Sequence, residues 1–292
     1  MKKVKETVEY LAVRSLGFVF RVLPECLSYL LGIMLARLVE AVLVKRKNIV
    51  LDNLRKSFPE KKEEEIKQIA ADAWKNVGII ASEFARSFYL KKESIHKKFV
   101  FVNEENLISA LKQRRGVILL ASHIGNWELM GMACAVKGYK ILVIARQLRN
   151  KPGSDYIKAV RERSGLKIVY EHEAVGECIK TLKDGNCVAI IIDQHIAEGS
   201  VAVDFLGRPA FTTSLIPLLV KKTGAPVVPF YNVRTETGKY YVFFEEQLKL
   251  SESNNFKNDI IENTQMLSKV VERWVRNYPS QWFWLHNRWK EK

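Results

Sequence analysis

Short β-rich runs alternate with helical segments through the middle of the chain, and this alternation constrains the fold more than any other feature. The β-rich runs are Val117 to Ala121, Lys140 to Ala145, Lys167 to Val169, Cys187 to Ile192 and Val227 to Tyr231. The helical segments are Trp127 to Val136, Ser154 to Ser164, Ala174 to Leu182 and Thr213 to Thr223. A helix between two strands returns the chain to the same end of a sheet and makes the strands parallel. The chain is therefore predicted to adopt an α/β fold with a mostly parallel central sheet flanked by helices.

Helical patterns also flank this alternating region. Apolar residues recur at helical spacing from Pro59 to Tyr89, and an amphipathic helix is predicted from about Phe256 to Asn277. A hairpin-like pair surrounds Thr237 and Gly238. No internal repeat or long linker is evident, so the simplest division is a helical amino-terminal module at residues 1–58 and one large catalytic domain at residues 59–292.

The segment from Val8 to Val44 is the most apolar long region, and Pro24 divides it into two predicted helices. The second helix, from Cys26 to Val44, has about the length needed to cross a bilayer, but Arg37 and Glu40 are costly at bilayer depth. A basic cluster follows, which an anionic cytoplasmic leaflet would attract. We expect a monotopic anchor or a single span at the cytoplasmic face of the membrane. A buried helical hairpin in a soluble protein is the alternative.

The charge balance favours anionic partners. The sequence has 47 Lys and Arg against 32 Asp and Glu, a formal net charge of +15. Anionic membranes, phosphorylated glycolipids, acidic carrier proteins and nucleic acids all suit such a charge. A nucleic-acid-binding protein is the non-enzymatic alternative, but no zinc-finger, basic-zipper or RNA-recognition signature occurs. We therefore expect an anionic membrane, and no nucleic acid, among the partners.

The cysteines and histidines give no reason to expect a metal or a cofactor. The four cysteines form no C-x-x-C pair and no dense disulfide framework, which favours a reducing compartment. Asp193 and His195 lie two positions apart, but two ligand types without a fixed third ligand make a poor metal site. We predict that the protein needs neither a metal nor a cofactor.

The junction after Ala121 contains the strongest candidate for catalysis. Functional groups gather where parallel strands end, and here the sequence reads Ser-His-Ile-Gly-Asn-Trp-Glu. Gly125 allows a tight turn, Asn126 can cap a helix, and Glu128 falls in its first turn. A histidine oriented by a carboxylate can act as a general base, worth roughly 100- to 10,000-fold in rate. We predict His123 as the base and Glu128 as its orienting partner.

The spacing from His123 to Glu128 resembles the H-x4-D/E motif of the late acyltransferases of lipid A biosynthesis, the lauroyl and myristoyl transferases, and of relatives that acylate other glycolipids. Further landmarks resembling this family follow in order along nearly the whole chain. They are Asn48 to Pro59, Arg146 with Asn150, Arg161 and Arg163 before Gly165, Asp193 with Gln194, Phe205 to Pro209 with Thr212 and Thr213, Gly224 to Phe230, and Gln281, Trp282, Trp284, His286 and Arg288.

The resemblance implies a glycerolipid-acyltransferase-like fold and an enzyme at the cytoplasmic face of the inner membrane. Its implied reaction moves a fatty acyl group from an acyl-carrier-protein thioester, or acyl-coenzyme A, to a hydroxyl of a lipid A precursor. The hydroxyl would attack the thioester directly, without an acyl-enzyme. The sequence agrees, because it has no G-x-S-x-G elbow and no cysteine close to His123. An acyltransferase for another glycolipid acceptor shares these residues and is the main alternative.

Other site residues follow from chemistry and from this series of landmarks. Arg161 or Arg163 is expected to stabilise the tetrahedral oxyanion, with a solvated helix surface as the alternative. Guanidinium groups match phosphate oxygens, so Arg146 and Arg208 are expected to contact phosphates of the acceptor or donor. The predicted substrate-binding residues are Arg146, Asn150, Asp193, Gln194, Arg208 and Thr212. The tryptophans of the tail from Pro279 to Trp289 form either an interfacial belt or a contact with the core.

Overall fold

The computed structural model describes residues 2–89 and 92–290. The helices are α1 (Lys2–Val22), α2 (Glu25–Val42), α3 (Val44–Ser57), α4 (Glu63–Ser87), α5 (Lys92–His96), α6 (Glu104–Leu111), α7 (Trp127–Lys137), α8 (Lys151–Arg163), α9 (Ala174–Lys183), α10 (Leu215–Thr223) and α11 (Phe256–Asn277). The strands are β1 (Phe99–Val102), β2 (Val117–Ala121), β3 (Ile141–Ala145), β4 (Lys167–Tyr170), β5 (Cys187–Ile191), β6 (Ser200–Phe205), β7 (Arg208–Thr213), β8 (Val227–Arg234) and β9 (Tyr240–Phe244).

Seven strands form one sheet in the order β1-β9-β8-β2-β5-β3-β4. Its neighbouring pairs are parallel except β8 and β9, which form the antiparallel hairpin predicted around Thr237 and Gly238. Strands β6 and β7 pair separately as a second hairpin. The predicted α/β fold, with a mostly parallel central sheet flanked by helices, is confirmed.

Strand β2 lies near the middle of the sheet, and all five of its residues are buried. Ile118 and Leu120 join the core on one face, whereas Val117 and Leu119 join the core on the other. A strand covered on both faces requires such a continuous apolar run, because successive side chains point to opposite faces. The polar residues that follow Ala121 therefore emerge at the edge of a fully covered sheet.

Helices α1 and α2 meet at Pro24, as predicted, and α2 packs closely on α4. A Cβ atom on Gly32 would lie 2.4 Å from the carbonyl oxygen of Gly78, so these two helices are in backbone contact. Ser28 and Ala36, one turn away on either side of Gly32, are also buried. The outward side of α2 is different in character, because it exposes large apolar side chains. These are Leu27, Leu30, Met34, Leu38, Val39 and Val42.

Among the described residues, no single helix combines the length and the apolar composition needed to cross a membrane. Helices α2 and α3 meet both criteria only when taken together, and they are bent by 94° at the break between them. Val50 and Leu54 of α3 lie in the hydrophobic core, so the predicted boundary at residue 58 falls within a packed region. The division into residues 1–58 and 59–292, like the membrane anchor, remains a prediction.

The tail after α11 packs onto the core and reaches the end of β2. Trp282 and Trp284 are 2% and 0% exposed, so the core contact, and not an interfacial belt, is confirmed for these two tryptophans. The Phe283 backbone N–H donates to the carbonyl of His123 at 3.0 Å, and the Gly125 N–H donates to the carbonyl of Gln281 at 3.0 Å. The tail therefore forms one wall of the junction that follows β2.

Candidate active site

His123 and Asp193 lie side by side at the carboxyl edge of the sheet. Strands β2 and β5 are parallel neighbours with Ala121 opposite Ile191, so the positions two residues beyond each strand end also meet. The His123 Nδ1 atom lies 2.7 Å from Asp193 Oδ1, and the His123 backbone N–H donates to Asp193 Oδ2 at 2.7 Å. One carboxylate thus holds both the ring and the backbone of the histidine.

Asp193 is only 2% exposed and accepts a third hydrogen bond, from Trp282 Nε1 to Oδ2 at 2.6 Å. Burial by itself would raise the pKa of this carboxyl group. The facing His123 ring and the hydrogen bonds from Trp282 and the His123 backbone outweigh burial and hold the pKa below its ordinary value of 3.8. Asp193 therefore lies ionised behind the imidazole and contacts His123, whereas its contact with substrate remains a prediction.

The hydrogen bonds of His123 define its tautomer. Gln194 Nε2 lies 3.1 Å from His123 Nε2, and an amide nitrogen can only donate, so Nε2 is the acceptor and Nδ1 carries the proton shared with Asp193. The His123 side chain is 18% exposed. The rings of Trp127 and Phe283 lie 5.1 Å and 6.3 Å from the imidazole, centroid to centroid, and form an apolar border. A partly exposed imidazole held by a carboxylate in this way is an arrangement that suits a general base.

Glu128 does not pair with His123, and the prediction that it orients the imidazole is wrong. Its two oxygens accept from Arg161 Nε at 2.9 Å and from Arg161 Nη2 at 2.7 Å, a bidentate ion pair between α7 and α8. The reason is geometric: Glu128 is the second residue of α7 and faces α8, whereas the register of β2 and β5 brings Asp193 onto the ring. Two carboxylates therefore have two separate partners.

The turn between His123 and Glu128 is held by buried polar contacts. Gly125 has a φ of 60°, and a Cβ atom there would lie 2.3 Å from the carbonyl oxygen of Asn232, so only glycine fits. The Asn126 side chain accepts from the Leu129 N–H at 3.0 Å, which confirms the predicted helix cap. The Asn126 backbone N–H donates to Asn232 Oδ1 at 2.9 Å.

Three further predicted site residues, Arg146, Asn150 and Arg163, lie on α8 or shortly before it. Arg163 Nη2 donates to the carbonyl of Ser87 at 2.9 Å, away from the Glu128 carboxylate that Arg161 binds. Asn150 begins α8, and its Oδ1 accepts from the Gly153 N–H at 2.9 Å. Arg146 is exposed just beyond the end of β3. Substrate contacts by Arg146 and Asn150 remain predictions.

Arg208 connects the β6–β7 hairpin to α3. Its guanidinium carbon lies 3.4 Å from the ring centroid of Trp289, and its Nη2 donates to the carbonyl of Asn53 at 3.3 Å and to the hydroxyl of Ser57 at 3.2 Å. Burial lowers the pKa of Arg208 to about 10. These contacts give the guanidinium a structural role, and the predicted phosphate contact remains a prediction.

Thr212 is fully buried, and its contact with substrate remains a prediction. Its position on β7 points inward, and its hydroxyl accepts a hydrogen bond from the buried Arg288. Arg288 also donates to the carbonyls of Gln194 at 3.0 Å and of Phe211 at 2.6 Å. Thr212 and Arg288 therefore support the backbone of the residue that contacts His123 Nε2.

Sequence reasoning left open whether Asp193 is a structural acceptor or has a direct catalytic role, and it missed the roles of Trp282 and Arg288, although all three lie among the family landmarks. A signal for Asp193 was present: two apolar runs, ending at Ala121 and Ile191, are each followed by a polar residue at the same offset. Nothing in the sequence pattern indicates that Trp282 binds the same carboxylate.

Within residues 2–89 and 92–290, no cluster of three or more His, Cys, Asp or Glu side chains could hold a metal ion.

The lowered pKa of Asp193 predicts a specific loss of stability in acid. A carboxyl group whose pKa is lower in the folded state stabilises the fold above its unfolded value, and this contribution is lost as the pH falls through the folded pKa. Wild-type protein should therefore exceed Asp193→Asn in free energy of unfolding near neutral pH, and the difference should shrink as the pH drops below about 4. Denaturant unfolding of both proteins between about pH 6 and about pH 3 measures this. A difference that does not change over that range would contradict the assignment.

Relatives with known names support an acyl-transfer function. The chain is similar to the lipid A biosynthesis lauroyltransferase of Escherichia coli (strain K12), with 26% identity over 272 residues that cover 92% of this chain and 87% of that protein. It is 21% identical over 273 residues to the lipid A biosynthesis palmitoleoyltransferase of the same organism, with 92% and 87% covered. A phosphatidylinositol mannoside acyltransferase of Mycolicibacterium smegmatis is 25% identical over 194 residues, 64% of this chain and 61% of that protein.

The sequence model of one family extends over nearly the whole chain. This family is described as bacterial lipid A biosynthesis acyltransferase, and its model matches residues 2–291. The match covers the His123 turn, Asp193 and the tail that contacts both, and it confirms the resemblance drawn from the sequence. The chain is therefore an acyltransferase and belongs to the bacterial lipid A biosynthesis acyltransferase family.

Proposed function

We propose that this protein transfers a fatty acyl group from the thioester of an acyl carrier protein, or of acyl-coenzyme A, to a hydroxyl of a lipid A precursor at the cytoplasmic face of the inner membrane. The observation that carries the proposal is the hydrogen-bonded pair of His123 and Asp193 at the sheet edge. Two relatives named as lipid A acyltransferases, each covering 92% of the chain, support the acceptor class.

His123 acts as the general base in this mechanism. Asp193 holds the proton on Nδ1, so the Nε2 lone pair takes the proton of the acceptor hydroxyl, and the Gln194 amide gives way to that hydroxyl. The hydroxyl oxygen attacks the thioester carbonyl carbon and forms a new C–O bond. The C–S bond then breaks, and the imidazolium returns its proton to the departing sulfur. The ionised Asp193 stabilises the imidazolium between these two steps.

Arg161 is the proposed oxyanion donor, and Glu128 is the residue that positions it. The ion pair uses the Nε and Nη2 groups of Arg161, which leaves Nη1 to donate to the oxyanion of the tetrahedral intermediate. The Arg161 side chain is 22% exposed, so substrate can reach it. In this proposal the two ends of the H-x4-E motif have different roles. His123 is the base, and Glu128 holds the oxyanion donor Arg161 in place.

The apolar border of the site suits an acyl chain. The rings of Trp127 and Phe283 pack edge to face with centroids 5.5 Å apart, next to the imidazole. An acyl thioester bound along these rings would bring its carbonyl carbon to the Nε2 side of His123. Water would be displaced from the same surface, which disfavours hydrolysis of the thioester.

A second acceptor class is favoured by one comparison. The mannoside acyltransferase relative matches 64% of this chain, and its name gives phosphatidylinositol mannoside as its acceptor. The base, its carboxylate and the arginine pair would serve any glycolipid hydroxyl. Mass spectrometry of lipids from cells with and without the gene distinguishes these acceptors, since the acylated lipid loses one acyl group when the gene is deleted.

We propose that α2 attaches the protein to the membrane by its outward apolar side. Leu30, Met34 and Leu38 of α2 are 54%, 59% and 58% exposed. Helix α3 follows with Lys45, Arg46 and Lys47, which suit an anionic lipid surface. Burying such side chains in the interface gives a monotopic attachment, without a helix that spans the bilayer.

Replacing the base tests the function directly. His123→Ala should lower kcat for transfer from acyl carrier protein to a lipid A precursor by at least about 100-fold, because the base is lost. Asp193→Asn should lower kcat by roughly 1,000-fold, because an amide no longer selects the productive tautomer. His172→Ala, at a histidine whose side chain is 67% exposed, is the matched control and should keep wild-type activity. A His123→Ala protein that keeps more than about a tenth of the wild-type rate would exclude the base assignment.

The two arginines of α8 should differ in their effect on the rate. Arg161→Ala should lower kcat by about 100- to 1,000-fold, the usual cost of losing an oxyanion donor. Glu128→Gln keeps Arg161 but weakens its anchor, so it should have a smaller effect on kcat. Arg163→Ala should change kcat by less than about threefold, because this side chain binds the Ser87 carbonyl. Equal losses for Arg161→Ala and Arg163→Ala would contradict the assignment.

Membrane attachment is tested on the outward side of α2. Changing Leu30, Met34 and Leu38 together to Gln should move the protein from the membrane pellet to the supernatant, because each buried side chain contributes roughly 1.5–3 kcal/mol. The control changes Ile108, Val175 and Ile261 to Gln, which are exposed apolar side chains on other helices, with exposed fractions of 43%, 43% and 42%. Retention of the α2 variant in the pellet, equal to that of the control, would disprove this attachment.

A further inference from the structure

A second buried carboxylate lies close to the active-site turn and is not used by the proposed mechanism. Glu83, on α4, is 1% exposed. Burying an ionised carboxylate is costly unless hydrogen-bond donors surround it. Glu83 has such donors from four separate elements or loops of the chain. They are Tyr29, Lys98, Asn126 and Tyr240.

The two oxygens of Glu83 face in different directions. Oε2 accepts from Asn126 Nδ2 at 2.7 Å and from the Tyr240 hydroxyl at 2.7 Å, both on the side of the active-site turn. Oε1 lies 2.6 Å from the Tyr29 hydroxyl of α2 and 3.1 Å from Lys98 Nζ. One carboxylate therefore joins the amino-terminal helix α2 to the turn that contains the base.

The contact with Asn126 fixes the orientation of that side chain. Because Nδ2 donates to Glu83, the Asn126 Oδ1 is directed at the Leu129 N–H and caps α7. Asn126 lies between His123 and Glu128 in the chain and caps α7, so its position sets where α7 begins. A displacement of about 1 Å at such a point can cost roughly 100-fold in rate.

We propose that Glu83 is a positioning residue of the acyl-transfer reaction. It fixes the turn from His123 to Glu128 through Asn126, and it ties this turn to α2 through Tyr29. Helix α2 is also the helix whose outward side is apolar, so the surface that meets the lipid and the turn that bears the base share one buried hydrogen-bond network. The catalytic consequence rests on the proposed function, whereas the ordering of the turn is a property of the fold.

The test exchanges the donor and the acceptor of the hydrogen bond between Glu83 and Asn126 within the whole chain. Asn126→Asp keeps an oxygen for the Leu129 cap but places a carboxylate against Glu83, and we expect kcat to fall by about 30-fold with a small change in KM. In the double variant Glu83→Gln with Asn126→Asp, the Gln amide donates to the new carboxylate. We expect this double variant to recover to within about fivefold of the wild-type kcat.

A second measurement does not depend on activity. Hydrogen exchange of the peptide from 123 to 130 should be at least about tenfold faster in Asn126→Asp and near the wild-type rate in the double variant. Tyr29→Phe should also speed exchange of this peptide, because it removes the direct hydrogen bond between α2 and Glu83. Arg86→Gln is the matched control: Arg86 lies one turn further along α4 and binds the carbonyls of Phe20 and Leu23, so its loss should lower Tm without changing exchange at the turn.

Each outcome decides between the alternatives. Unchanged exchange of the turn in Asn126→Asp, or no recovery in the double variant, overturns the positioning role. Unchanged hydrogen exchange of the peptide from 123 to 130 in Tyr29→Phe overturns the proposed link between this turn and α2. If exchange responds and recovers as expected while the wild-type protein transfers no acyl group, the proposed function fails and the positioning of the turn by Glu83 stands.

Discussion

The hydrogen-bonded contact between the Asp193 carboxylate and the His123 ring is the interaction on which the site depends. A buried carboxylate is stable at this sheet edge only because three donors reach it: the His123 ring, the His123 backbone and Trp282. These donors come from the end of β2 and from the tail, while the acceptor follows β5. The position of the His123 ring is therefore fixed by strand register and tail packing together, and not by any local segment.

Much of the fold could be predicted because its strands and helices follow from local sequence patterns. The wholly apolar run of β2 and the alternation with helices predict a parallel sheet, and the ordered landmarks predict the family. The position of His123 at a strand end followed from the same logic. The pairing of Asp193 with His123 could not be predicted in this way, since it depends on which strands are neighbours. Glu128 was near in sequence, and that nearness was misleading.

Two carboxylates near the base have separate tasks, and residue type alone does not distinguish them. Glu128 forms a bidentate pair with Arg161 across two helices, whereas Asp193 holds the imidazole. The same lesson applies to polar residues expected to contact substrate. Thr212 and Arg208 turned out to join buried or half-buried contacts that hold the β6–β7 hairpin, Arg288 and α3 in place. Only burial and partners separate these roles, and neither can be read from a single sequence.

The contact between the tail and the turn after β2 has a consequence for the order of assembly. Ribosomes make β2 and β5 well before residues 281–283, so a nascent chain carries His123 and Asp193 while Gly125 still lacks its Gln281 acceptor and Asp193 still lacks the Trp282 donor. The pair can reach its final geometry only after those residues have been synthesised and have docked. The carboxyl-terminal tail is thus the last part of the sheet edge to be assembled, and it supplies the donor that completes the hydrogen bonding of Asp193.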